Sequence, residues 1–216
     1  LPEQLDLDSM SYGNQMKAAE LYPLYQAALK SNNALDFDDL LATTAKLFQQ
    51  VPSLRDYYDK KFQYILVDEF QDTNAVQYEL VRLLSMDVNN VCVVGDDDQS
   101  IYRWRGANIE NILNFEKDYP GTTVIKLEEN YRSTQNILTA AGNVVRENRS
   151  RNEKTLCTQN EKGDPVICYR AEDETSEAEF VCERIQSLCQ EEGFSFNEIA
   201  ILYRTNAQSR VMEDML

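Results

Sequence analysis

Two carboxylates, Asp68 and Glu69, close the apolar run YILV (residues 64–67) and are followed by FQD. A second apolar run, VCVV (91–94), leads into GDDDQSIYRWRGA (95–107). A carboxylate at a strand end is a hard oxygen ligand suited to Mg2+, usually through water. The next carboxylate points elsewhere, because strand side chains alternate, and can polarise a water for attack on a γ-phosphate. If the two runs share one sheet, Asp96 and Gln99 sit close to Asp68 and Glu69. Gln99 is neutral with both a donor and an acceptor, which suits contact with a phosphate oxygen or an attacking water. Tyr102 and Trp104 offer flat faces to bases, and Arg103 and Arg105 can meet phosphates. Trp104 is the sole tryptophan and lies between two arginines in a polar stretch, so it reads as a binding residue rather than a core aromatic.

Two further strand-end segments carry weaker signals. In LEENYRS (127–133), Tyr131 could stack on a nucleobase and Arg132 could act as an arginine finger. Alone, the pair reads equally as a packed tyrosine beside a surface arginine. In LYRTNAQSR (202–210), Arg204, Thr205 and Asn206 open a helix whose N-terminus could receive a phosphate, or simply begin a helix at the surface. Basic residues at 146, 149, 151 and 154 read as a solvated loop or as a small nucleic-acid patch.

The elements that must position these residues alternate regularly. Residues 10–30 read as a helix with Tyr22, Tyr25 and Leu29 on one stripe, which Pro23 should kink or split. Asp36 is an N-cap for the helix carrying Phe37, Leu40, Leu41 and Phe48, and a short helix covers 53–61. Strands are expected at 64–67, 91–94, 124–127 (VIKL), 166–169 (VICY) and 199–203 (IAILY). Helices are expected around Val76–Leu84, over 108–117, around Ile137–Val145, and from a Ser176–Glu179 capping box onward. The last residues begin another helix. Such alternation means α/β with largely parallel sheets, whose ligands sit at the carboxyl ends of the strands.

Composition narrows the chemistry. With 216 residues the chain fits one large or two small domains. A net charge of −16 argues against broad nucleic-acid or membrane affinity, so any nucleic-acid contact is local. The chain has no histidine, which excludes Ser-His-Asp and Cys-His hydrolases and most catalytic zinc sites. Five cysteines without metal-ligand spacing suit a reduced cytosol. No apolar run approaches a membrane span.

The segments FDDLL, VDEFQDTN, VVGDDDQSIYRWRGA, LEENYRS and ILYRTNAQSR occur in this order. Together they resemble the UvrD/Rep/PcrA family of superfamily 1A DNA helicases, in its bacterial PcrA-type branch, over nearly the whole chain. The resemblance implies a cytoplasmic, ATP- and Mg2+-dependent 3′-to-5′ translocase that walks on single-stranded DNA and opens single-strand/duplex junctions. It implies RecA-like, P-loop NTPase-type parallel sheets flanked by helices, as two partial domains plus a helical N-terminal tail. Residues 1–32 would be the tail of a helical 1B subdomain, 33–122 the C-terminal part of domain 1A, and 123–216 the N-terminal part of domain 2A. Asp68 would serve Mg2+, Glu69 would be the base, and Gln99 would report the γ-phosphate. Tyr131 would stack on adenine and Arg132 would be the finger. Tyr102, Trp104, Arg105, Arg204, Thr205 and Asn206 would contact DNA. The pattern GxxxxGK[ST] does not occur among the 216 residues, so the chain is expected to be a helicase piece inactive by itself. A helicase part of a recombination helicase-nuclease subunit, and a non-catalytic nucleic-acid- or protein-binding module, are the alternative readings.

Overall fold

A computed structural model describes residues 14–87, 89–148 and 151–216. The chain mixes helices with a small parallel sheet and divides into two compact units. One comprises Leu1–Arg132 and Ala141–Gln159; the other comprises Ser133–Ala140 and Asn160–Leu216. The part of the expected first helix before residue 14 lies outside the described residues, as does Arg149.

In the first unit, α1 (Asn14–Ser31) runs without a break across Pro23, so the proline does not split it. A turn follows, and Asp36 begins α2 (Phe37–Gln50) as expected: its side chain accepts from Asp39 N–H, and Asp39 returns the contact to the Asp36 N–H. Such reciprocal capping satisfies two backbone donors left over at a helix start. Pro52 opens α3 (Pro52–Lys61), where its missing N–H is harmless. Asn74 caps α4 (Ala75–Leu83) by accepting from Val76 and Gln77 N–H. Ala45, Phe48 and Leu83 form the buried seam between these helices, flanked by Leu54, Tyr58, Val76 and Leu80.

Strands β1 (Ile65–Val67) and β2 (Val91–Val93) pair in parallel, with Ile65 opposite Val91 and Val67 opposite Val93. Phe70, Phe115 and Tyr119 make a second core against Val67, Tyr78, Val91, Val93 and Ile112. Phe70 meets Phe115 edge-on at 5.5 Å, and Phe115 stacks on Tyr119 at 4.6 Å. The expected helix over 108–117 is two short ones, α5 (Glu110–Leu113) and α6 (Phe115–Asp118), joined at Asn114.

The runs at 124–127, 166–169 and 199–203 are not strands; β1–β2 is the one sheet among the described residues. All three runs have strand propensity, but a strand exists only where a neighbour completes its ladder. Most of their apolar side chains stand exposed instead, Leu202 at 93%, while Ile199 and Ile201 are half-buried. Near the first of them, a single parallel bridge joins Glu129 to Cys157.

Helix α7 (Gln135–Val145) begins in the second unit, where Asn136 Nδ2 donates to the Gly163 carbonyl at 2.8 Å. Helix α8 (Glu174–Glu191) buries Ala178, Cys182 and Ile185 and is capped by Asp173, which accepts from Ser176 N–H. The expected Ser176–Glu179 box is therefore one turn late: an aspartate ahead of the helix competes better for the first amides. Helix α9 (Ser209–Met215) closes the chain and packs on α8.

Candidate functional site

The parallel pairing of β1 and β2 continues past the strands proper. Val94 N–H donates to Val67 O at 2.8 Å, and Phe70 N–H donates to Val94 O at 3.0 Å. Both strand-end segments, 68–72 and 95–99, are thereby held side by side.

At the end of β1, Asp68 is exposed and its Oδ1 accepts from Glu69 N–H at 2.9 Å. Glu69 adopts a left-handed backbone, φ 49° and ψ 42°. For a residue with a Cβ this costs roughly 1–2 kcal/mol, and such strain concentrates at functional positions. The adjoining turn sustains it. Phe70 is fully buried and anchors a 3-10 turn, Phe70–Asp72, while Thr73 closes that turn on the Phe70 carbonyl. The Glu69 carboxylate accepts from Gln71 Nε2 at 2.8 Å.

At the end of β2, Gly95 leads into a 3-10 turn, Asp97–Gln99, capped by Asp96 through Asp98 N–H at 3.0 Å. Gln99 Nε2 donates to Asp96 Oδ2 at 2.8 Å. The Asp96 N–H in turn donates to Gln71 Oε1 at 3.0 Å. Glu69, Gln71, Asp96 and Gln99 thus form one continuous hydrogen-bonded chain across the two strand ends.

Asp96, Asp97 and Asp98 bring their carboxylates together, and the charge is met from within the same unit. The Lys154 ammonium contacts all three, at 2.7 Å from Asp97 Oδ1 and 3.2 Å from Asp98 Oδ2. Arg151 pairs with Asp98 at 2.8 Å, and Asn148 Nδ2 adds a contact to the same side chain. Burial works against both charges in the Lys154–Asp96 pair, but their mutual hydrogen bond, with those from Gln99 and Asp97, prevails. The result is an Asp96 carboxyl held below its ordinary range and a Lys154 ammonium held above it. Arg151 and Lys154 are therefore ion-paired rather than a solvated loop, which corrects that reading of the basic residues; Arg146 stays exposed.

Further along the same loop, Arg103–Arg105 form a 3-10 turn that ends at Gly106, φ 91°. The Arg105 guanidinium lies 4.9 Å from the Tyr102 ring centre and 4.7 Å from that of Trp104. Trp104 is 70% exposed, so it belongs to no core. Behind this platform, Asn108 N–H donates to Thr73 O and Asn111 Nδ2 reaches the same carbonyl, tying the loop to the turn after β1.

Tyr131 and Arg132 are exposed on a segment whose backbone turns at Asn130, with Asn130 Oδ1 accepting from Arg132 N–H. The Glu129 carboxylate beside it pushes the Tyr131 hydroxyl pKa up. In the second unit, Arg204, Thr205 and Asn206 are exposed, but the Arg204 and Thr205 N–H groups both donate to Gln208 Oε1. Those two amides are already satisfied within the turn.

The structure therefore unites Glu69, Asp96 and Gln99 in one network and Tyr102, Trp104 and Arg105 in another. The sequence signals neither the role of Gln71 nor that of Lys154. Gln71 stands in FQD with nothing to mark its partners, and Lys154 reads only as one of four loop cations, with partners 56 to 58 positions away.

Two family models match the chain. The UvrD/REP helicase N-terminal domain covers residues 2–120 and the UvrD-like helicase C-terminal domain covers 125–216. The chain is 51% identical over 215 residues to a protein of Bacillus subtilis named ATP-dependent DNA helicase PcrA, covering 100% of this chain and 29% of that protein. It is 53% identical over 213 residues to the proteins of the same name from Staphylococcus epidermidis and Staphylococcus aureus, covering 99% of this chain and 29% of each. It thus spans less than a third of the length of the curated relatives it matches. With matching motifs set at paired strand ends and family models spanning almost its whole length, the chain belongs to the UvrD/REP helicase family.

Proposed function

We propose that this chain is the segment of an ATP-dependent 3′-to-5′ DNA helicase that joins the hydrolytic strand ends to the single-stranded DNA track. The observation that carries the reading is the loop 95–107, which hydrogen-bonds to the Glu69 network at one end and presents the exposed Trp104–Arg105–Tyr102 stack at the other. Its two strands belong to a RecA-like sheet. Residues 1–32 are the tail of the helical 1B subdomain, 33–122 the C-terminal part of domain 1A, and 123–216 the N-terminal part of domain 2A.

ATP and Mg2+ are the cofactors. Asp68, exposed at the end of β1, supplies a hard carboxylate oxygen of the kind Mg2+ takes. When bound, the ion neutralises charge on the phosphates. Glu69 orients and deprotonates the attacking water, and Gln99 senses the γ-phosphate. Tyr131 stacks on adenine and Arg132 supplies the finger. Tyr102 and Trp104 stack on bases, Arg105 meets the phosphates, and Arg204, Thr205 and Asn206 touch the DNA backbone. The protein works in the cytoplasm on single-strand/duplex junctions. No helix among the described residues is long and apolar enough to cross a membrane. The chain by itself, which carries no GxxxxGK[ST], does not turn over ATP.

The test is Glu69→Gln in the full-length protein. Hydrolysis of ATP and unwinding of a 3′-tailed duplex are lost while ATP binding remains. Unwinding retained at the unsubstituted rate refutes the assignment, and DNA-stimulated turnover by the 216-residue chain alone refutes its inactivity.

A further inference from the structure

Gln71 is 1% exposed, yet its carboxamide has two polar partners on two different strand ends. Its Nε2 donates to Glu69 Oε2 at 2.8 Å, and its Oε1 accepts from Asp96 N–H at 3.0 Å. Its backbone carbonyl accepts from Ser100 Oγ at 3.3 Å. The partners fix which way the amide faces: a carboxylate needs a donor and a backbone N–H needs an acceptor. Space confirms the fit, since a Cβ at Gly95 would lie 2.5 Å from Gln71 Oε1 and 3.2 Å from Phe70 N. The loop after β2 is therefore pressed directly onto this side chain.

A carboxamide is the side chain that does this job. Methionine matches the shape and offers no donor, and an ionised glutamate repels Glu69. A Glu69 carboxylate carried on a left-handed backbone depends on its one side-chain partner for aim, because the backbone there is held by its surroundings rather than by preference.

We propose that Gln71 is a positioning residue for ATP hydrolysis, aiming the Glu69 carboxylate and registering it against the 95–99 loop. This rests on the reading of Glu69 as the base. Movement of the loop at Asp96 pulls on Gln71 Oε1, and the other end of the same amide turns the carboxylate. Gln71 acts through Glu69 and the 95–99 loop, its hydrogen-bond partners.

The experiment is a double-mutant cycle in the full-length protein, combining Gln71→Met with Glu69→Gln and reading kcat and KM for DNA-stimulated ATP hydrolysis. Gln71→Met is expected to lower kcat by about 10- to 100-fold, the scale of a misaimed catalytic group, with KM for ATP unchanged. In the Glu69→Gln background it lowers the residual single-turnover rate no further. An equal loss in both backgrounds marks a general structural role and overturns the proposal, as does an unchanged kcat. If Glu69→Gln alone keeps the full rate, the base reading fails and the proposal falls with it; if Glu69→Gln leaves only a residual rate and the cycle is additive, only the proposal fails. Should the methionine variant not fold, Gln71→Glu keeps the shape and the acceptor toward Asp96 N–H, removes the donor, and is run through the same cycle.

Discussion

The Lys154 ammonium lies 2.7 Å from Asp97 Oδ1, joining a loop that sequence alone leaves irregular to the turn that follows β2. Asp97 is buried, and Lys154 touches Asp96 and Asp98 as well. Lys154, joined by Arg151 at Asp98, thus offsets the mutual repulsion of three neighbouring carboxylates.

Lys154→Met should cost about 1–3 kcal/mol in urea unfolding, between the value of a surface pair and that of a fully buried one. The pH dependence has a definite sign. Asp96 is held below its ordinary value, so its contribution is present above the unfolded aspartate pKa and is lost as pH falls through the depressed folded one. Lys154 is held above its ordinary value, so its contribution is complete below the unfolded lysine pKa and is lost as pH rises through the raised folded one. The gap in melting temperature between parent and variant should be widest between about pH 4 and pH 10 and should close on the acid side. A gap of constant width at all pH values would contradict this network.

Phe70 is fully buried at the hinge between β1 and the turn that holds Gln71. Phe70→Ala should cost about 3–5 kcal/mol by equilibrium unfolding, the range for deleting a buried aromatic. A loss below about 1 kcal/mol would mean that the turn is held by its hydrogen bonds rather than by this ring.

Trp104 is the single tryptophan of the chain, so its emission reports one place. Single-stranded DNA added at low salt should quench it. Trp104→Ala in the full-length protein should weaken DNA binding by about 1–3 kcal/mol, the worth of one base stacked on an aromatic ring. Arg105→Ala should shift the emission even without DNA, because the guanidinium lies over the indole. An unshifted spectrum would show that this stack does not form in solution.

Gln99 donates to Asp96, whose backbone reaches Gln71. Gln99→Ala in the full-length protein should lower ATP turnover and abolish its stimulation by DNA. Steady-state rates with and without DNA decide it, and an intact stimulation refutes the coupling.

Legibility followed the distance over which each feature is determined. The Asp36 cap could be read because its partner is three residues away. The pairing of β1 with β2 could be read because both runs are apolar and end in acids. The runs at VIKL, VICY and IAILY were over-read, since propensity is local but a ladder is not. At the site, residues such as Glu69 and Trp104 stood out as candidates by residue type alone. Gln71 and Lys154 did not, because their meaning lies in partners 25 and 58 positions off.

The close approach of Gly95 to Gln71 also sets a rule of inheritance. Any side chain at position 95 collides with the amide, and any shorter residue at position 71 leaves Glu69 without its guide. In a randomised library across both positions, Gly95 and Gln71 should both be retained. Exchanges at either should be purged even where the protein still folds, because a smaller residue at 71 that makes room for a side chain at 95 also removes the donor to Glu69.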